Sequence, residues 1–192
     1  MGRVWKSGWF IAHQWIADRA NYFLEEAEKP DRIDGQLDNC AAALVFGSFC
    51  LEAFFNSAGR VWIPHWDFQE RKLQPKEKLQ LICTALNLQM EPGKPPFQCV
   101  SALFNFRNWI AHGKDERVKE TVEALPGKEH DAIWGVPKNN QLRRLAPKEV
   151  REYLTQADAL IDLIERKSKR KKRRIPVMSS WVAVPIRGKE KQ

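Results

Sequence analysis

Residues 40–51, CAAALVFGSFCL, form the longest apolar stretch of the chain. Twelve residues exceed an ordinary strand, and the run ends at Glu52, well short of the roughly 20 apolar residues a bilayer-spanning helix needs. It continues a helical pattern that begins near Asp34 or Asp38, passes through LDNCAAALVFGSFCLEAFFNSA and is expected to stop at Gly59. A helix of this kind is satisfied only by other helices packed around it.

The rest of the chain supplies them. A first helix is predicted from Arg3 to Glu28, with Trp5, Trp9, Ile16, Ala20 and Phe23 at helical spacing and Pro30 just beyond. Residues 60–75, RVWIPHWDFQERKLQP, read as an aromatic connector that Pro64 keeps from being one continuous helix. A third helix covers about Lys76 to Leu88. A fourth starts at Pro95 or Pro96 and ends at Gly113, and a fifth opens after Pro147. Between the last two, Glu116 to Pro147 is long for a connector and reads as a lid, a hairpin or a series of surface turns. The expectation is all-α, an up-and-down bundle of four to five helices over residues 1–165, with 116–147 a loop-rich insertion and 166–192 a basic tail.

Charge locates the tail. Arg166 to Arg174, RKSKRKKRR, holds eight basic residues and no acidic one; without them the remaining 24 Lys and Arg balance 24 Asp and Glu. Arg166, Lys167, Lys169, Arg170, Lys171, Lys172, Arg173 and Arg174 are thus candidates for contact with nucleic-acid phosphates, against the plainer reading of a solvated, self-repelling tail. Cys40, Cys50, Cys83 and Cys99 have no CxxC spacing, which points to a reduced, cytoplasmic setting. The histidines make no HExxH motif or Cys/His cluster, so no metal site is expected. No glycine-rich phosphate loop and no serine elbow occurs either.

Chemistry concentrates in Phe104 to Lys114, FNFRNWIAHGK. At 100° per residue one arc of the fourth helix carries Cys99, Ala102, Leu103, Phe106, Trp109 and Ile110, and is expected to face the core. The other carries Phe97, Val100, Phe104 and Ala111, with Arg107, Asn108 and His112 among them. Such a second apolar face calls for another element, of which a two-fold partner is one candidate. Arg107 and His112 then either cap the helix end and bond to nearby carboxylates, or form half of a cationic groove for a phosphodiester. The bare Arg-x4-His spacing occurs again at Arg60 to His65, so only the helical, Gly-terminated version carries a mechanism. Glu52 and Asn56, one turn apart in the apolar helix, are the supporting pair: either a structural bond, or a carboxylate that orients Arg107 or His112.

Arg107-Asn108-x-x-x-His112-Gly113 at the end of a fourth helix resembles the Arg-x4-6-His motif of HEPN domains. The order of LEAFFNSAG, PKEKLQLI and LFNFRNWIAHGK is similar to that of many prokaryotic HEPN proteins, covering about Trp5 to Lys114. The resemblance implies a homodimeric helical bundle and a metal-independent endoribonuclease without cofactor, in a toxin or phage-defence setting with an antitoxin partner. In that reading His112 exchanges protons with the ribose 2′-OH or the leaving 5′-oxygen, Arg107 holds the scissile phosphate, and Asn108 positions the His or the phosphate. The products are a 2′,3′-cyclic phosphate and a 5′-OH. A non-catalytic HEPN module that binds nucleic acid or dimerises is the alternative. Lys114 stands where members silenced by adenylylation often carry Tyr, so that regulation is not implied.

Overall fold

The computed structural model describes residues 3–30, 35–113, 145–171, 175–176 and 180–186, with 3–9 and 180–186 described by backbone alone. Six helices are described: α1 (Ala12–Ala27), α2 (Gln36–Trp62), α3 (Trp66–Gln69), α4 (Pro75–Leu86), α5 (Gln98–Ala111) and α6 (Pro147–Arg170). The chain's body is helical, as expected. To it the ends of the chain add a two-stranded antiparallel ribbon, β1 (Arg3–Trp9) and β2 (Ser180–Ile186), with Arg3 opposite Ile186 and Trp9 opposite Ser180.

The helix expected from Arg3 therefore starts at Ala12, and residues 3–9 are a strand. The spacing of Trp5 and Trp9 suits either form, and here the Val-, Trp- and Ile-containing segment 180–186 provides a cross-strand partner. Pro185 is tolerated because each strand of a two-stranded ribbon is an edge.

α2 is the centre of the bundle, packed on α1, α4, α5 and α6. Its buried positions, among them Cys40, Ala43, Leu44, Gly47, Leu51, Phe54, Phe55 and Ala58, follow the three-to-four spacing of a core helix. Phe54 and Phe55 are fully buried, each contributing about 2 to 3 kcal/mol. Among the described helices α2 alone is long and apolar enough to cross a membrane, and half of its most apolar window is buried inside the bundle.

Gly59 is not the stop it was expected to be, since α2 runs three residues further to Trp62. Ile63 is extended ahead of Pro64, which ends the helix by excluding helical geometry from the residue before it. Gly59 is required instead by a close approach: a Cβ there would lie 2.2 Å from the buried Trp66 ring. Trp66 opens the short α3 inside the connector, after His65 in a left-handed conformation at φ 55°.

α4 begins at Pro75, with Gln74 and Glu77 forming a capping box, and ends at Asn87 in left-handed geometry. α6 carries on past the boundary expected at residue 166. Ser168 is buried and accepts a hydrogen bond from Trp62 Nε1 at 3.0 Å, and Lys171 donates to the Ala85 carbonyl at 2.8 Å. The first part of the basic run thus belongs to the bundle. The lid or hairpin expected at 116–147 lies outside the described residues up to position 144.

Candidate functional site

The site is built where the end of α5 meets the middle of α2 and the start of α4. Glu52, one-third exposed, sits on α2 just past the long uncharged run. Its Oε2 accepts from Arg107 Nη2 at 3.3 Å, and its Oε1 lies 3.4 Å from Lys78 Nζ. One turn along α2, Asn56 Oδ1 accepts from the same ammonium at 2.9 Å. Both alternatives for Glu52 are met at once: one oxygen makes a structural bond to Lys78 and the other holds Arg107.

Lys78 is absent from the residues singled out in the sequence, yet it is only 3% exposed. A lysine is almost never fully buried without a partner, and here two oxygens on α2 supply one. The signal lay in the helix period: on α4 the buried residues are Lys78, Leu79, Ile82, Cys83 and Leu86, so the lysine occupies a position of the apolar stripe. A cation on a buried stripe facing the middle of an apolar helix whose one carboxylate beyond the first turn is Glu52 implies that the two meet.

The two arcs of α5 divide differently from the expectation. Cys99, Val100, Leu103, Phe104 and Phe106 are buried, whereas Ile110 is 48% exposed. The core-facing arc is thus centred near Val100, Leu103 and Arg107, and the chain's own bundle covers most of the supposed second face. Arg107 belongs to the buried side because Glu52 is there to receive it. Its guanidinium also rests 5.4 Å above the Phe104 ring, a cation–π contact. Arg107 Nε is buried with no hydrogen-bond partner among the described residues. One of the five guanidinium donors is engaged by Glu52, and the side chain remains 25% exposed.

Asn108 and His112 lie on the exposed side of α5. His112 is the helix C-cap: its backbone N–H donates to the Asn108 carbonyl at 2.9 Å, at φ −124° and ψ 26°. Gly113 follows as the residue past the helix, as the sequence suggests. No hydrogen bond or ion pair joins Arg107 to His112 or Asn108 among the described residues. What the fold brings together is Glu52, Asn56, Lys78 and Arg107; Asn108 and His112 stand beside that cluster at the same helix end.

Of the basic residues, Arg166, Lys167, Lys169 and Arg170 are in the last turns of α6, and Lys171 directly follows. Arg166, Lys169 and Arg170 are exposed at a helix C-terminus, where cations are favoured. Lys172, Arg173 and Arg174 lie outside the described residues. No family model matches the chain, and comparison with curated proteins and with solved structures gives no match either.

Proposed function

We propose that the chain is a HEPN-type endoribonuclease, cleaving RNA by attack of the 2′-OH on the neighbouring phosphate without metal or cofactor. The observation that supports this most is the Arg107–Glu52 pair: a guanidinium anchored at the end of the helix whose C-cap is His112. Such a partly exposed cation, held at the helix end until a phosphate takes it up, suits the charge that builds on the phosphoryl oxygens. His112, exposed at the same helix end, is the proton-transfer group, and Asn108 one turn before it positions the imidazole or the phosphate.

Arg107 and His112 leave α5 on different sides, so a composite site is the arrangement that fits them: two helix ends related by a two-fold axis, each supplying Arg107 to one phosphate and His112 across it. Ile110, half exposed in the last turn of the same helix, gives that contact an apolar element. The reading places the protein in the cytoplasm, off the membrane, with the exposed basic end of α6 retaining RNA and an antitoxin as its natural restraint.

A second reading is favoured by one observation. Arg107 is already engaged by Glu52 within the chain, so the pair serves to hold α5 on α2 with no phosphate bound, as suits a non-catalytic HEPN module that binds nucleic acid or dimerises. The product chemistry separates the two. Incubation with RNA in EDTA yields 2′,3′-cyclic phosphate and 5′-OH ends if the site is catalytic; intact RNA, or ends bearing a 5′-phosphate, contradicts it.

A further inference from the structure

We propose that Lys78 is a positioning residue for Arg107, a second cation that keeps Glu52 neutralised while Arg107 turns from Glu52 to a bound phosphate. The inference rests on the reading above only in taking the phosphate to be that of RNA.

The cluster holds two cations on one carboxylate. Glu52 offers one oxygen to Arg107 at 3.3 Å and the other to Lys78 at 3.4 Å, so neither cation has the carboxylate to itself. Lys78 is pinned from a second side by Asn56 at 2.9 Å and is nearly inaccessible, so it acts through Glu52 and does not touch substrate. Arg107 is the mobile member. It is a quarter exposed, and its Nε has no partner among the described residues.

Consider a phosphate arriving at Arg107. Without Lys78, taking the guanidinium away leaves a partly desolvated Glu52 without a counter-ion, so the phosphate competes against the full attraction of a closed pair. With Lys78 in place the exchange ends in two pairs, Lys78 with Glu52 and Arg107 with the phosphate. The surplus positive charge of the cluster also attracts the incoming anion. Lys78 therefore sets how readily Arg107 is released.

The test uses the full chain and a fluorescent 2′-O-methyl RNA oligonucleotide, which has no hydroxyl for attack and so reports binding alone. Lys78→Met is expected to weaken binding roughly tenfold, the scale of one screened charge pair at about 4 Å. Lys78→Arg is expected to retain it. Adding Glu52→Gln to Lys78→Met removes the competing carboxylate and brings affinity back to within about threefold of wild type, a rescue that a merely structural role does not produce. Lys78→Met leaves the neutral Glu52–Arg107 pair closed, so helix content by circular dichroism is expected to be unchanged. Lys78→Gln, which still donates to Asn56 without charge, gives the same answer if the methionine does not fold.

The proposal is overturned if the uncharged Lys78 variants bind as wild type does, if the double variant binds no better than the single one, or if wild type does not bind the oligonucleotide. Lys78-dependent binding without cleavage of ordinary RNA refutes the ribonuclease reading and leaves the inference standing. Cleavage by wild type with Lys78-independent binding refutes the inference alone.

Discussion

Arg107 on α5 donates to Glu52 on α2 across 3.3 Å, tying the helix end that carries His112 to the central helix of the bundle. The bond fixes a cation at one place on the surface. It also makes Glu52 answerable for two charges, since the buried Lys78 depends on it as well.

Glu52→Ala is accordingly expected to destabilise the fold by about 3 kcal/mol, the scale of leaving one member of a desolvated pair without its partner. Glu52→Gln keeps one acceptor oxygen but turns an amide NH2 toward the other cation, and is expected to cost less, about 1 to 2 kcal/mol. Urea denaturation of the two variants checks the order; equal midpoints for Glu52→Ala and wild type contradict it.

His13 gives the fold a pH dependence. Its ring lies against Phe54 at 5.3 Å, 5% exposed, with Nδ1 unpartnered among the described residues, and burial lowers its pKa below the ordinary 6.5. The unfolded chain takes up a proton near pH 6.5 while the buried imidazole resists it. The unfolded state then binds more protons, and His13's contribution, fully present above 6.5, is lost as pH falls through the folded value. Urea midpoints measured from pH 7.5 to 5.5 are expected to decline in wild type and to decline less in His13→Leu.

Gly59→Ala adds a methyl where only 2.2 Å separates it from the Trp66 ring. Both sit in packed interior, so the ring or the helix has to move, at a cost of about 1 to 3 kcal/mol. The readout is thermal melting together with Trp fluorescence. An unchanged melting temperature contradicts the close-approach account of this glycine.

For the basic end of α6, removing residues 167–174 would also remove the Ser168 bond to Trp62 and the Lys171 bond to the Ala85 carbonyl. Replacing the exposed Arg166, Lys169 and Arg170 by Gln avoids that. Each phosphate-binding cation neutralised in this way is expected to flatten the logarithmic salt dependence of single-stranded RNA binding by about 0.7. An unchanged slope contradicts a role for this helix end.

The elements held by local pattern were legible. The uncharged run 40–51 gives α2, and the prolines and Gly113 bound α4, α5 and α6. The Arg107–Glu52 contact could be named because each residue is a lone charge in apolar surroundings. What escaped depends on partners distant in sequence. Trp5 and Trp9 suit a helix until segment 180–186 is laid beside them. A glycine that ends helices elsewhere continues this one because Trp66 needs the space. Lys78 looks like an ordinary surface lysine in PKEKLQLI until α2 offers it Glu52 and Asn56. The faces of α5 depart from the pattern for the same reason: hydrophobicity alone puts Ile110 inside and Arg107 on the outer arc, and a single carboxylate reverses the place of Arg107.

The most direct measurement is cleavage of RNA in EDTA by wild type, His112→Ala and Arg107→Ala, each shown to be folded by circular dichroism. The ribonuclease reading predicts cleavage by wild type and a loss of at least about a hundredfold in both variants, the scale of removing a general acid–base or an oxyanion donor. Equal cleavage by all three, or none by any, contradicts it.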